Sequence, residues 1–152
     1  MSNFNIESKR LNSMRIDHVM ISVPDYHETL QWYQEKLNAT IEKEWTVEEL
    51  PDLQLAYLDV NGFRIEVVGT PKAQSGMPDF KDFGEALRTT GIGHFCFRVD
   101  SVDDAISELN QRGVPTFVEA ADYPNVGVRV GFVKDNNGNV IEFSGAMNSA
   151  KQ

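Results

Sequence analysis

Two histidines and two glutamates recur at a single spacing and have the side chains of a metal site. His94 follows His18 by 76 residues, and Glu142 follows Glu66 by the same 76 residues. Two imidazoles and two carboxylates suit a borderline divalent ion, and the candidates are Ni²⁺, Co²⁺, Zn²⁺, Mn²⁺ and Fe²⁺. An ion of this kind polarises a carbonyl group and lowers the pKa of the neighbouring C–H. The four residues therefore predict a metal ion that acts as a Lewis acid.

The 76-residue offset extends beyond these four residues and reveals an internal duplication. Without a gap it aligns ten identical residues between positions 16 and 69 and their counterparts, concentrated in an Ile-x-His opening and an Asn-Gly-x-x-Ile-Glu closing. A repeat of this kind indicates two copies of one structural unit. We interpret the chain as one domain over 14–145 with two terminal tails. Its parts are an N-terminal tail over 1–13, a first module over 14–70, a linker over 71–91, a second module over 92–145 and a C-terminal tail over 146–152.

Each module is predicted to contain a strand, a helix and three further strands. Residues 15–23 and 93–99 are rich in β-branched and aromatic side chains, which is typical of strands. Asp25 and Ser101 precede amphipathic segments as helix N-caps do. Further strands are predicted at 39–46, 53–60, 63–69, 114–119, 126–134 and 139–144, with hairpin turns at Asn61–Gly62 and Asn137–Gly138. The predicted fold class is therefore α+β, with two tandem βαβββ modules.

Side chains alternate between the two faces of a strand, so the parity of a position decides which surface it shares. One face of the four short strands is apolar and is expected to pack under the helices: Val19, Ile21, Val23, Phe63, Ile65, Val67, Phe95, Phe97, Val99, Ile141 and Phe143. The opposite face carries one candidate ligand in each strand. For any one of these alone, an ordinary hydrogen-bonded or solvent-facing role is the simpler interpretation. Their shared offset favours metal binding, and the four can meet if the modules pair edge to edge and curve into a trough.

Charge and composition exclude several classes of partner. The 152 residues carry a net charge of −9 with a pI near 4.7, so the protein repels phosphate backbones and anionic membrane surfaces. We therefore expect neither nucleic acid nor a membrane as a partner. No run approaches the ~18 apolar residues of a membrane span, and the opening MSNFNIESKR has no signal-peptide core, which predicts a cytoplasmic location. Cys96 is the single cysteine and cannot form a disulfide within the chain.

The stretch from about 15 to 145 resembles the vicinal oxygen chelate (VOC) superfamily. This superfamily includes glyoxalase I, methylmalonyl-CoA epimerase, extradiol dioxygenases, and fosfomycin and bleomycin resistance proteins. The matching segments are IDHVMISVPD, GFRIEVV, GIGHFCFRVDSVDDAISELNQRGV and KDNNGNVIEF. The resemblance implies a cupped mixed sheet around a central site, a homodimer, and metal ligands at His18, Glu66, His94 and Glu142.

Within the superfamily, the residues favour a glyoxalase I-like lyase or isomerase. The resemblance implies that Glu142 both binds the ion and acts as the base, with Glu66 as the second candidate. A fourth protein ligand at Glu66 disfavours the oxygen chemistry of extradiol dioxygenases, which leave that position free. Ser22 and Thr70 stand where glutathione-dependent enzymes carry Arg and Asn, which argues against a glutathione substrate.

Five further residues are candidates for binding the small-molecule substrate. Arg98, Arg64 and Arg129 could pair with a substrate carboxylate or phosphate, although solvated strand arginines are an equal alternative. Phe80 and Phe83 of the linker could cap the substrate, although packing of the linker is the simpler role. Three function classes stay open: a metal-dependent lyase or isomerase, including an epimerase; a dioxygenase; and a binding or resistance protein without turnover.

Overall fold

Two four-stranded mixed sheets form the structure, a computed structural model that describes residues 11–76 and 79–148. The predicted tails fall largely outside the described residues, which omit 1–10 and 149–152. The first sheet has the order β1-β4-β3-β2. Its elements, with the helix that follows β1, are β1 (Val19–Val23), α1 (Tyr26–Leu37), β2 (Thr40–Val47), β3 (Leu50–Val60) and β4 (Phe63–Gly69).

The second sheet repeats this architecture in the order β5-β8-β7-β6. A short helix of the linker, α2 (Phe83–Ala86), precedes it, and its elements are β5 (Phe95–Arg98), α3 (Val102–Gln111), β6 (Thr116–Tyr123), β7 (Val128–Lys134) and β8 (Val140–Gly145). The predicted α+β fold with two tandem βαβββ modules is therefore confirmed. Among the described residues, no helix has both the length and the apolar content needed to span a membrane.

The helices begin at the residues that the sequence indicates. The Asp25 carboxylate accepts a hydrogen bond from the backbone N–H of Glu28 at 2.9 Å, and the Ser101 hydroxyl accepts one from Asp104 at 3.3 Å. These contacts satisfy backbone donors that the first turn of a helix leaves unpaired. α1 ends at Leu37, and the φ of 55° at the capping residue Asn38 turns the chain away from the helix.

The two Asn-Gly turns differ although their sequences match. Asn61 and Gly62 have φ values of 51° and 88°, which is the tight hairpin turn that the sequence predicts. In the second module the turn is longer and is organised by Asp135. One oxygen of this carboxylate accepts the backbone N–H groups of Asn137 and Asn139, both at 2.8 Å.

The apolar face of each sheet packs under its helix as predicted. Ile65, Val67 and Ile141 are fully buried, and Phe95 and Phe97 contact the cores of both modules. α1 also joins the two modules. The buried Tyr33 hydroxyl donates to the Asp135 carboxylate at 2.7 Å, and Arg112 at the end of α3 donates to two carbonyls at the end of α1. β1 and β5 remain at the edges of their sheets.

Two glycines related by the duplication allow the chain at the start of each helix to pack closely against the last strand of its module. A Cβ added at Gly69 would lie 2.4 Å from Cβ of Tyr26, which is the first residue of α1. A Cβ added at Gly145 would lie 2.7 Å from the carbonyl oxygen of Val99. Both distances are far inside van der Waals contact, so the close approach requires glycine at both positions.

Replacing Gly69 with alanine is expected to lower the free energy of unfolding by about 2 kcal/mol or more, because the added carbon forces α1 and β4 apart. Gly145→Ala should change stability in the same direction. Gly76→Ala is the control, since a Cβ there meets nothing within 4 Å. Urea unfolding followed by circular dichroism measures the differences. A Gly69→Ala protein as stable as the wild type would contradict the packing of α1 on β4.

Candidate metal site

The first candidate pair lies at the start of the first sheet. Met20 of β1 pairs in parallel with Glu66 of β4, and His18 lies two positions before Met20, so its side chain shares the face of Glu66. Nε2 of His18 is 3.2 Å from Oε2 of Glu66. Nδ1 of the same ring is 2.6 Å from Oδ2 of Asp17. The pKa of Asp17 is lowered, mainly by this hydrogen bond and further by the charge of Arg64.

The second pair has the same placement in the second sheet. Cys96 of β5 pairs in parallel with Glu142 of β8, and His94 lies two positions before Cys96. Nε2 of His94 is 2.6 Å from Oε2 of Glu142. Burial, followed by the charge of Glu142, raises the pKa of the Cys96 thiol to about 11. The thiol is therefore protonated near neutral pH, which does not favour a nucleophilic role.

The first pair has the atom separation expected for one half of a divalent metal site. Two ligands with bonds of about 2.1 Å to one ion lie roughly 3 Å apart when the bonds are perpendicular. The 3.2 Å contact between His18 and Glu66 matches this separation, whereas the 2.6 Å contact between His94 and Glu142 is a hydrogen-bond distance and must lengthen when an ion binds. Both histidines are about one-third exposed, at 32% and 35% of their side chains, so an ion and a substrate can reach them.

The structure brings the four residues together as two pairs and not as one cluster. Within residues 11–76 and 79–148, no group of three or more His, Cys, Asp or Glu side chains is arranged to hold a metal ion. The expected convergence of all four therefore does not occur among the described residues of a single chain. Binding of one ion by all four stays a prediction. A cavity of about 200 Å³ separates the edge strands and is lined by Met20 of β1 and His94, among others.

Aromatic and charged groups surround the first pair. Tyr57 is the β3 partner of Glu66, and its ring centroid is 5.6 Å from that of His18. The Arg64 guanidinium lies 4.9 Å from the centre of the Tyr57 ring. Nε of Arg64 is 2.7 Å from the carboxylate of Glu42, and one terminal nitrogen is 3.2 Å from that of Asp17. Arg64 is therefore paired within the chain, and its role as a substrate-binding cation stays a prediction.

Apolar rings surround the second pair. Phe132 is the β7 partner of Glu142, and its ring centroid is 5.6 Å from that of His94. Phe83 of the linker lies 4.7 Å from the same ring. Phe80 is buried in the cluster that includes Phe132, so packing of the linker is its role in the structure. The linker thus covers the Glu142 face of the second sheet.

The other two arginines predicted to bind substrate, Arg98 and Arg129, lie on different parts of the second sheet. Arg98 is exposed at the end of β5, and its charge acts on Cys96, which places it near the second pair. Arg129 belongs to the opposite face of its sheet, because Phe132 of the same strand pairs with Glu142 and alternate residues point away. Its guanidinium binds Asp103 of α3 at 2.7 and 2.9 Å. Arg129 is therefore paired within the chain on the face opposite Glu142, and its role as a substrate-binding residue stays a prediction.

Tyr57, Phe132 and Asp17 are residues near the site that the sequence analysis missed. The Asn61–Gly62 turn could have identified Tyr57, because counting outward from a two-residue turn places Tyr57 opposite Glu66. Phe132 could not be found in this way, since the longer turn at Asp135 changes the register. Asp17 stands beside His18 in the sequence but carries no distinctive pattern of its own.

Comparison with curated proteins gives distant relatives of several activities. The chain is 31% identical over 121 residues to the uncharacterized protein YwkD of Bacillus subtilis, covering 79% of this chain and 88% of that protein. It is 24% identical over 136 residues to mitochondrial methylmalonyl-CoA epimerase of Mus musculus, covering 87% of this chain and 73% of that protein. It is 25% identical over 118 residues to lactoylglutathione lyase of Schizosaccharomyces pombe; this match covers 68% of the chain but only 39% of the lyase.

Solved structures share the fold, and a family profile covers most of the chain. A glyoxalase family protein from Enterococcus faecalis has a TM-score of 0.72 and 22% identity, covering 88% of this chain and 98% of that chain. FosX, a fosfomycin resistance protein from Listeria monocytogenes solved with Mn(II), has a TM-score of 0.61 and 15% identity, covering 89% and 92% of the two chains. The profile of the Glyoxalase/Bleomycin resistance protein/Dioxygenase superfamily matches residues 15–143. The chain therefore belongs to this superfamily.

Proposed function

We propose that this chain is a metal-dependent lyase or isomerase that enolises a small carbonyl substrate. The observation that carries this proposal is the repeated contact between a histidine Nε2 and a glutamate Oε2, at 3.2 Å in the first module and 2.6 Å in the second. Both pairs lie on the face opposite the helices. The donor types suit a divalent ion among Ni²⁺, Co²⁺, Zn²⁺, Mn²⁺ and Fe²⁺, and the related FosX structure was solved with Mn(II).

The complete site is proposed to form between two copies of the chain. The first pair of one protomer joins the second pair of its partner, since the four residues of one chain stay apart. Two features support this assembly. β1 and β5 are sheet edges, and exposed edges favour pairing with another strand. The large apolar residues beside the histidines are exposed, at 53% for Met20, 84% for Ile16 and 78% for Ile92, which is typical of a surface that a partner covers.

The divalent ion and Glu142 have separate roles in the proposed proton transfer. When bound, the divalent ion supplies a Lewis acid that polarises the substrate carbonyl and lowers the pKa of the adjacent C–H. A carboxylate oxygen of Glu142 accepts that proton and returns it either to the neighbouring carbon or to the other side of the same carbon. The first outcome is an isomerisation and the second an epimerisation, and neither consumes an oxidant.

Glu142 is a better candidate for the base than Glu66 because their surroundings differ. Glu142 faces Phe132, and Phe83 packs against that ring, so its neighbours are apolar rings although its side chain is as exposed as that of Glu66, at 17% against 18%. Glu66 faces Tyr57, over which the Arg64 guanidinium lies. A polar neighbourhood of this kind suits a carboxylate that remains a ligand.

The substrate class is proposed to be an α-oxo thiol adduct or an acyl thioester. Methylmalonyl-CoA epimerase and lactoylglutathione lyase are both relatives of this chain. Ser22 and Thr70 argue against the glutathione adduct as the preferred substrate. Dioxygenase activity on a catechol is the competing hypothesis, and an oxygen electrode separates the two because enolisation takes up no oxygen.

A mixture of two inactive variants tests the proposed assembly. Neither His18→Ala nor His94→Ala alone should retain a complete site. When the two are unfolded together and refolded in equal amounts, roughly a quarter of the wild-type metal sites should return, because half of the dimers are mixed and each mixed dimer holds one intact site. Calorimetric titration with Co²⁺ measures the sites, and each variant refolded alone is the control. Absence of any recovery would contradict a site shared between copies.

Replacing Glu142 with glutamine tests the assigned base. At saturating metal, Glu142→Gln should slow the exchange of substrate C–H for solvent deuterium by about 10²–10⁴-fold, because the amide cannot accept the proton. Glu66→Gln is the matched control in the other module and should slow exchange less. Mass spectrometry of methylmalonyl-CoA and of a methylglyoxal–thiol adduct in D₂O measures the rates. Equal losses in the two variants, or an unchanged rate in Glu142→Gln, would show that the base is assigned wrongly.

A further inference from the structure

Asp17 is held between the His18 ring and the Arg64 guanidinium. Its Oδ2 lies 2.6 Å from Nδ1 of His18, and its Oδ1 lies 3.2 Å from a terminal nitrogen of Arg64. Arg64 is fixed in turn by Glu42, whose carboxylate accepts its Nε–H at 2.7 Å. Each oxygen of Asp17 therefore has its own partner, and the carboxylate has a defined orientation.

This arrangement selects one tautomer of His18. A carboxylate has no proton to donate near neutral pH, so a contact of 2.6 Å requires the ring to carry its proton on Nδ1. In the neutral ring the lone pair is then on Nε2, which is the nitrogen 3.2 Å from Glu66. This is the form of the ring that binds a metal ion, because the ion coordinates the Nε2 lone pair.

The second module lacks the same arrangement, so the duplicated fold does not require it. Under the 76-residue offset, Gly93 stands at the position of Asp17 and Val140 at that of Arg64. Val118 stands at the position of Glu42. His94 contacts Glu142 and the Phe132 ring instead. The carboxylate contact at Nδ1 of the histidine thus belongs to the first half of the proposed site.

We propose that Asp17, oriented by Arg64, is a positioning residue that fixes the His18 tautomer and presets Nε2 as a metal ligand. This inference rests on the proposed function, because it assigns Asp17 a role toward the divalent ion. Carboxylates that bind the second nitrogen of a ligand histidine typically contribute 10–100-fold to metal affinity. Asp17 itself contacts neither the ion nor the substrate.

The test compares Asp17→Ala and Asp17→Asn with the wild type in two measurements. Competition with a chromophoric chelator gives the affinity for Co²⁺, and long-range ¹H–¹⁵N spectra of the metal-free protein give the tautomer of each histidine. Asp17→Ala should weaken Co²⁺ binding about 10–100-fold. It should also change the His18 signals from the Nδ1–H form to a mixture. Asp17→Asn keeps an oxygen acceptor and should retain most of the Nδ1–H form with an intermediate affinity.

Arg64→Met and an exposed control complete the design. Arg64→Met should weaken Co²⁺ binding less than Asp17→Ala, because it removes the support of Asp17 and not the contact with His18. Asp52→Ala removes a carboxylate that pairs with Lys72 on the surface and should change neither measurement. The His94 signals should be the same in all variants. Thermal unfolding of each variant confirms that the fold is intact.

The outcomes separate this inference from the proposed function. An unchanged His18 tautomer in Asp17→Ala, or an unchanged Co²⁺ affinity in a wild type that binds the ion, would overturn the positioning role. A wild-type protein that binds no divalent ion would overturn the proposed function and with it the role of Asp17 toward a metal. A change of both tautomer and affinity in Asp17→Ala, with Asp52→Ala unaffected, supports the inference.

Discussion

Parallel pairing between the first and last strand of each module decides where every side chain of the candidate site lies. The register sets Met20 opposite Glu66 in one sheet and Cys96 opposite Glu142 in the other. A shift by one residue would turn each glutamate into the apolar core, where Ile65 and Ile141 are fully buried. Gly69 and Gly145 contribute to this constraint, since they let the chain pass closely over the last strand of each module.

Much of this arrangement could be predicted from the sequence, because it depends on local rules. The alternation of side chains along the strands correctly predicted that His18 and Glu66 lie on one face. The helices also begin after the predicted N-caps, Asp25 and Ser101. The first strand is shorter than predicted: it starts at Val19, so His18 lies just before the ladder. Strand propensity continues through residues 15–18, but these residues have no ladder partner in the first sheet.

The side-chain partners that the sequence did not indicate come from long-range packing. Arg64 is engaged by Glu42, which is distant in sequence and close in the folded sheet. Arg129 faces α3 because the register of β7 depends on the turn around Asp135, and the carboxylate of Asp135 also binds Tyr33 of α1. The contact between the modules, and hence the separation of the two His–Glu pairs, depends on such interactions. No periodicity in the sequence encodes them.

The two halves of the duplication have diverged into different chemical surroundings. The first half surrounds its histidine with a carboxylate, a guanidinium and the Tyr57 ring. The second half surrounds its histidine with Phe132, and the linker residue Phe83 covers that ring. An oriented ligand on one side and a carboxylate beside apolar rings on the other suit a site that must hold an ion firmly and also move a proton.

Anomalous X-ray scattering at the cobalt edge, from crystals grown with Co²⁺, tests the shared metal site most directly. The account predicts one strong anomalous peak per chain, within about 2.0–2.2 Å of Nε2 or a carboxylate oxygen from all four of His18, Glu66, His94 and Glu142. Two of these ligands should come from each protomer of a dimer. A peak bound by the residues of one module alone, or no peak near either histidine, would contradict it.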